Sequence, residues 1–381
     1  VRGFAMRKLL FAFTISASLL FAQTAVSDML RTDHPTEYVV VKGDTLWDIS
    51  ARFLEKPWQW PQIWKKNPQV KNPNLIYPGD IIRLTYVDGK PVLSINEAPN
   101  TNEIPIGAID VNLYNRPFLQ DLRIVTTFKD LPYVLGVEEG QTRAMTGEAV
   151  YVHSLKGVAV GETVEIFRPT RNFARTNQGS YQVSAASQLN SRGDRIRVDG
   201  QEFWSGLSTL GNSRNFIGTE MRRVALGRVT ETAGVQDITR VVIIEGDREV
   251  RVGDRVTPDS RSSFDPYFYP SKGPNVGAES RIMSISGEGM HAGARSVVTL
   301  PIGSKQGISN GNTYEVWSQS QKVPDRIAHR EELAAKWNTV TMPRENIGLI
   351  MIFRTFDNVS YGIVMKSTQQ ITIGDYLRNP D

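Results

Sequence analysis

The hydrophobic pattern of the chain changes period sharply near its N-terminus. Tyr38-Val39-Val40-Val41 is a β-branched run that reads as a strand, Lys42-Gly43-Asp44 is turn chemistry, and Leu46, Ile49 and Phe53 then fall at i, i+3 and i+7. That spacing predicts one apolar face of a helix, with Asp44 or Thr45 as the short side chain that caps its first turn and Pro57 as its end. Pro61 lies in the first turn of a second short helix whose apolar side is Trp60, Ile63 and Trp64. "NPQVKNPNLIYPGD" is turn chemistry throughout, and "DIIRLTYV" is a second strand. The predicted order over residues 36–86 is strand, helix, helix, strand. Trp47, Trp58, Trp60 and Trp64, four of the seven tryptophans, sit inside it, and a unit this small without disulfides needs large side chains to build its core. The preceding "SDMLRTDHPTE" is polar and is expected to be loose.

After this module the pattern is mixed. Residues 87–146 read as a linker or docking segment, with "NEAPNTNEIP" a linker by composition. Beyond them the period is two, as in "REVRVGDRV" and "QQITIGDYL", with Gly-Asp or Gly-Glu turns between the apolar runs. The pattern is also duplicated. "KGVAVGETVEIF" at 156–167 recurs as "QGISNGNTYEVW" at 306–317, and residues 225–256 align without a gap on 346–377, Gly227 with Gly348, Val250 with Ile371, Gly253 with Gly374 and Asp254 with Asp375. Two copies of one antiparallel β unit, each a small barrel or a curled sheet, are therefore expected at 147–260 and 281–381, joined by an ordered Pro- and Gly-rich linker at 261–280. "HREELAAKW" at 329–337 reads as a helical excursion or a charged loop. The fold class is α+β, a small βααβ module followed by duplicated, mostly antiparallel β units.

Composition adds compartment and excludes chemistries. Met6-Arg7-Lys8, the apolar stretch Leu9 to Ala22 and the small residues Ala25-Val26-Ser27 have the layout of a secretory signal peptide over residues 6–27, with cleavage near Ser27. The other reading, a membrane anchor, asks for roughly 20 apolar residues, and this stretch is shorter. Val1 to Ala5 precede the basic start and read as upstream of the initiating Met6. The net charge of +4 is small for 381 residues and no long Lys/Arg run occurs, so nucleic acid is not an expected partner. Cysteine is absent, which removes disulfides, thiolate nucleophiles and thiol-held metals.

"YVVVKGDTLWDISARF" together with "NPNLIYPGDIIRL" resembles a LysM domain, the βααβ module that binds N-acetylglucosamine-containing glycans of peptidoglycan and chitin. The resemblance implies a shallow sugar groove lined by Gly43, Asp44, Thr45 and Leu46 on one side and by Asn74, Leu75, Ile76, Tyr77 and Pro78 on the other. On that reading turn backbone meets the acetamide and Leu46 or Ile76 packs its methyl. Asp44 and Thr45 are equally explained as helix-capping groups. "EKPWQWPQ" and "NPQVKNPN" are longer and richer in Trp and Pro than in common LysM repeats, so a narrowed or partly filled groove is expected. The whole chain is similar to exported, LysM-containing envelope proteins of proteobacteria, most closely at "GLIMIFRTFDNVSYGIV", which implies a periplasmic or envelope location and peptidoglycan as partner.

No catalytic constellation is expected. His34, His153, His291 and His329 are scattered, with neither H-E-x-x-H nor H-x-H to hold zinc, and no G-x-S-x-G elbow occurs. Ser286, Glu288 and His291 are close in "SISGEGMH", where a Gly-rich turn is the better explanation. A non-catalytic, cofactor- and metal-free wall-binding protein whose β repeats hold an envelope protein is the expectation. The alternative is a LysM-targeted hydrolase or glycosidase with an unrecognised carboxylate pair.

Overall fold

The computed structural model describes residues 29–64, 76–96, 106, 122–126, 131–138, 141–175, 181–185, 216–232, 237–259, 268–278, 280–286, 291–324 and 339–380. The expected leader at 6–27 and the stretch 329–337 lie outside these residues. The fold is mostly β-sheet with few helices, in keeping with an α+β class. No helix among the described residues is long and apolar enough to cross a membrane.

The N-terminal module is β1 (Glu37–Val39), α1 (Leu46–Phe53), a 3₁₀ turn (Pro57–Gln59), α2 (Trp60–Ile63), β2 (Ile81–Val87) and β3 (Lys90–Asn96). β1 and β3 pair antiparallel on either side of β2, and the helices close one face over Ile49, Phe53, Trp60, Ile76, Ile82 and Leu93. Two expectations are corrected here. β3 falls in the segment expected to be linker and carries the sheet to Asn96, because Asp88 and Gly89 both take positive φ (+52° and +76°), the two-residue hairpin geometry that folds the chain straight back. The "loose" polar lead-in is pinned at its start: Leu30 is buried, Arg31 N–H donates to the Phe53 carbonyl at 3.0 Å and Glu55 N–H to the Met29 carbonyl at 3.1 Å.

Two larger β bodies follow. In the first, β5 (Tyr133–Val137), β7 (Ala149–His153), β8 (Thr163–Arg175), β10 (Phe216–Glu231), β11 (Ile238–Gly246) and β13 (Arg255–Pro258) pair in the cycle β8-β10-β11-β7-β5-β13 and back to β8. The short strands β6 (Arg143–Ala144) and β12 (Val250–Arg251) pair separately, while β4 (Leu122–Val125) and β9 (Tyr181–Ala185) extend the edges. β4, β5 and β6 come from residues expected to be linker, so this body begins well before 147.

In the second body, β17 (Val297–Leu300), β18 (Asn312–Trp317), β21 (Asn346–Thr355), β22 (Ser360–Ser367) and β24 (Tyr376–Arg378) pair in the order β24-β18-β21-β22-β17. β15 (Ser284–Ile285) continues from β17, and the residues just before it meet β24 through Ile282 N–H to the Asp375 carbonyl at 2.8 Å. β16 (His291–Ala292) pairs β23 (Ile371–Thr372), and β14 (Ser271–Lys272), from the expected 261–280 linker, adds in parallel to β18. β19 (Lys322–Pro324) and β20 (Thr339–Thr341) form a separate two-stranded ribbon, exposed at every position.

β21 is buried on both faces: Ile350 and Ile352 enter the core of the second body, and Leu349, Met351 and Phe353 point the other way. That outer face is covered by Trp47 of α1, Trp58 of the 3₁₀ turn and Leu122 of β4. The expectation that all four tryptophans build the module's own core is therefore corrected. Trp60 does, with Trp64 stacked on it at 4.7 Å, whereas Trp47 and Trp58 dock the module onto the second β body.

The two β bodies are joined by a buried polar contact. Tyr361 OH on β22 donates to Glu220 Oε2 on β10 at 2.6 Å, Thr170 Oγ1 donates to Glu220 Oε1 at 2.7 Å, and Arg171 donates to Ser284 Oγ at 2.9 Å. Burial, reinforced by the Glu220 carboxylate, pushes the Tyr361 phenol well above the usual tyrosine range, so it remains a donor. Tyr361→Phe removes a donor from a buried carboxylate without changing shape, and the expected loss is about 1–3 kcal/mol of unfolding free energy by denaturant titration, with the slope unchanged.

Candidate glycan-binding turns

Residues 41–44 and 77–80 make the same turn. Asp44 N–H donates to the Val41 carbonyl at 3.1 Å while Val41 N–H donates to Asp44 Oδ2 at 2.8 Å. Asp80 N–H likewise donates to Tyr77 O at 3.1 Å and Tyr77 N–H to Asp80 Oδ2 at 2.8 Å. Gly43 and Gly79 stand at the third position with φ of +97° and +95°, a conformation that strains any residue with a Cβ. The turns are neighbours because both meet Val40, whose N–H donates to Asp80 O at 2.9 Å and whose carbonyl accepts Gly79 N–H at 2.7 Å.

The residues implied by the LysM resemblance separate into three groups. Gly43 is exposed, with nothing within 4 Å of where a Cβ would stand, and Tyr77 and Pro78 are half-buried at the facing turn. Asp44 and Thr45 already have structural work. Asp44 Oδ2 closes its turn and also accepts Tyr38 OH at 2.8 Å, and Thr45 Oγ1 caps α1 by accepting Asp48 N–H at 3.1 Å. Of the two capping candidates, Thr45 is the N-cap and Asp44 is not.

Leu46 and Ile76 are 4% and 1% exposed and belong to the module's core, so neither side chain is free to pack an acetamide methyl; that expectation is corrected. Asn74 and Leu75 lie outside the described residues. The Ile76 carbonyl is also occupied, by Ile106 N–H at 2.7 Å, and the Ile106 side chain is buried against the same core. The apolar surface actually offered beside the turns is Val41, 52% exposed, together with Pro78. Val41 was not singled out, although strand alternation with Val40 inward leaves it outward.

One donor is conspicuous by its position. Gly79 N–H is docked on Val40, whereas no acceptor meets Gly43 N–H among the described residues. The turns thus offer a backbone donor unmatched among the described residues, the half-buried Tyr77 and a small apolar surface, which is binding chemistry for a neutral polar ligand with an apolar substituent.

Ser286 lies just after β15 and His291 on β16, and Glu288 is outside the described residues. His34 rests against its neighbouring carbonyl, Pro35 O, at 3.2 Å, and His153 Nδ1 meets Ser154 Oγ at 2.8 Å, both local contacts.

Comparison with protein families matches residues 38–85 to the LysM domain. The chain carries a LysM domain. LysM domains bind N-acetylglucosamine-containing glycans of the peptidoglycan and chitin type, so binding of such a glycan is the activity this match suggests. Comparison with curated proteins finds no match.

Burial, followed by the hydrogen bond to Asp44, raises the Tyr38 phenol above its usual value. The neutral phenol is the form the fold favours, so its contribution is complete below about pH 10 and is lost as pH rises through the raised value. Ultraviolet phenolate titration of wild type against Tyr38→Phe should show the missing tyrosine ionising above the exposed tyrosines, and Asp44→Asn should bring it down.

Proposed function

We propose that this is an exported, non-catalytic envelope protein that holds peptidoglycan through the 41–44 and 77–80 turns of its LysM domain and a protein partner through its β bodies. The observation that carries the glycan half is the Gly43 turn. Gly43 is exposed, its N–H meets no acceptor among the described residues and a Cβ there would meet nothing within 4 Å, beside Tyr77 and Pro78 and inside the stretch that matches the LysM domain. An acetamide carbonyl is the natural acceptor for that donor, and Val41 or Pro78 takes its methyl in place of Leu46 or Ile76.

The partner half rests on duplication of a binding-sized β unit. The repeated sequence at 156–167 and 306–317 and at 225–256 and 346–377 is accompanied by strand pairings in the same order, with β8, β10, β11, β7 and β13 in the places of β18, β21, β22, β17 and β24. The reading of residues 6–27 as a cleaved signal peptide supports a periplasmic or envelope location.

Gly43→Asn tests the glycan half in the intact mature chain. Asn tolerates positive φ better than other side chains and would stand over the turn. Co-sedimentation with purified peptidoglycan sacculi should weaken about tenfold, equivalent to about 1.4 kcal/mol, with unchanged circular dichroism. Equal sedimentation of both proteins rejects these turns as the glycan site. A peptidoglycan zymogram of the purified protein should show no cleared band; a cleared band rejects the non-catalytic reading.

A further inference from the structure

The second β body carries a surface that neither its packing nor the glycan reading uses. Trp317 on β18 is the cross-strand partner of Tyr376 on β24, and arginines stack on both rings. The Arg281 and Arg344 guanidiniums lie 4.3 and 3.4 Å from the Tyr376 ring centroid, and Arg378 lies 4.4 Å from that of Trp317. Tyr376 is therefore placed between two cations. Neither Arg344 nor Arg378 forms an ion pair among the described residues. Stacking orients a planar guanidinium while leaving its in-plane N–H donors free for an oxygen ligand.

Among the described residues Arg344, Arg378 and the exposed Lys322 stand with two exposed or half-exposed carboxylates, Glu345 and Glu315, the latter directly across from Arg378 on the paired strand. Glu315 Oε2 accepts Trp317 Nε1–H at 2.9 Å and Glu345 Oε2 accepts a Gln369 amide N–H at 2.9 Å. The third carboxylate, Asp375, is buried and accepts Thr372 N–H at 2.7 Å and Gln319 N–H at 3.2 Å.

The same surface continues into the exposed ribbon. Ser318 N–H donates to the Glu345 carbonyl and Met342 N–H to the Gln321 carbonyl, both at 2.8 Å, so Trp317 and Arg344 stand at the root of β19 and β20. On and beside that ribbon Val323, Val340 and Met342 are 43%, 50% and 48% exposed. Ile373, 49% exposed, joins from the turn before β24, where Gln319 Nε2 donates to its carbonyl at 3.0 Å.

From this juxtaposition we propose that the surface of Trp317, Arg344 and Arg378 around the buried Tyr376 ring, with the β19–β20 ribbon, docks an acidic segment of a partner protein that also carries apolar side chains. Charge complementarity supplies the acidic half. The exposed Val and Met side chains decide for polypeptide over a phosphate or carboxylate polymer, which would bring nothing to cover them. Trp, Tyr and Arg grouped beside apolar neighbours are also the residue types that concentrate binding energy in protein interfaces. The proposal deepens the partner-binding half of the function above and rests on it.

The test uses the full mature chain and a fluorescein-labelled synthetic peptide alternating Glu and Leu, followed by anisotropy, with inorganic polyphosphate as competitor. The peptide should bind with an affinity that falls as salt rises. Arg378→Glu and Val340→Asp, both at exposed positions, should each weaken it about tenfold. Val340→Asp should weaken peptide binding whether or not polyphosphate competes at the arginines, and sacculus co-sedimentation should be unchanged in both variants. Absence of peptide binding, or binding that both variants retain, overturns the assignment of this surface. Displacement by polyphosphate with Val340→Asp silent replaces the protein segment by an anionic polymer and overturns it too. Sacculus binding in the same preparations shows whether the glycan half stands independently of these outcomes.

Discussion

The architecture depends on one repeated hydrogen-bonding arrangement. At 41–44, 77–80, 145–148, 159–162, 251–254, 309–312 and 372–375 the first N–H of a turn donates to the side chain of the fourth residue, an Asp, Glu or Asn, at 2.6 to 3.1 Å. The third residue is Gly at φ between +91° and +97°. Among the described residues every such Gly N–H but that of Gly43 then docks on a carbonyl in or beside a strand elsewhere: Val40, Ile243, Val229, Val134, Ile352 and Ile282, at 2.7 to 2.9 Å. The turn at 293–296 does the same with Arg295 at φ +71°, its N–H docked on Val364 and Ser296 as the side-chain acceptor. Each turn thus satisfies its own polar groups, and all but the one at Gly43 also fasten a segment elsewhere in the chain. Asp80, Asp254 and Asp375 can therefore be almost wholly buried without leaving unpaired backbone donors.

Fastening strands at their corners leaves sheet faces available for docking. β21 uses both of its faces, one for its own core and one for Trp47, Trp58 and Leu122. The LysM domain is consequently seated on the second β body, and α1 is buried on two sides, Ile49 and Phe53 inward and Trp47 outward. The β bodies meet through the Glu220–Tyr361 contact and through Phe173, Met283 and Val359. A ligand held at the Gly43 turn is therefore presented in a set orientation to the rest of the chain. This bears on two-point attachment, because rigid spacing favours only those second contacts that lie at the right distance.

Much of this was legible because it is local. The Leu46, Ile49, Phe53 spacing and the Thr45 cap locate α1, and the Gly-Asp turns mark the β corners. Other features were legible but passed over: Asp88-Gly89 between "IIRLTYV" and "KPVLSIN" is a strong short-range hairpin signal, and the unbroken "GLIMIF" announces a strand buried on both faces. The rest is tertiary. The spacing of α1 leaves Trp47 off its Leu46, Ile49 and Phe53 face, but nothing local tells that Trp47 and Trp58 meet β21 while Trp60 enters the module's core. Leu46 and Ile76 have the right composition for a sugar groove, yet their burial follows from where the two turns close on Val40. β4, β5 and β6 are short, and their partners β10, β13 and β12 lie far along the sequence, only β7 being near β5.

The exception among the turns links fold to function. Wherever else the Gly N–H recurs, a peptide carbonyl in or beside a neighbouring strand accepts it. At the exposed Gly43, with the same dihedral angle, no acceptor meets that donor among the described residues. An N-acetyl group is itself a secondary amide, so its carbonyl matches in geometry and basicity the strand carbonyl that completes every other copy. On the proposed function, glycan recognition is the structural turn of this fold with its last acceptor supplied by the ligand. Selectivity for an acetamido sugar over a plain hydroxylated one then follows from the donor that would otherwise be left to water.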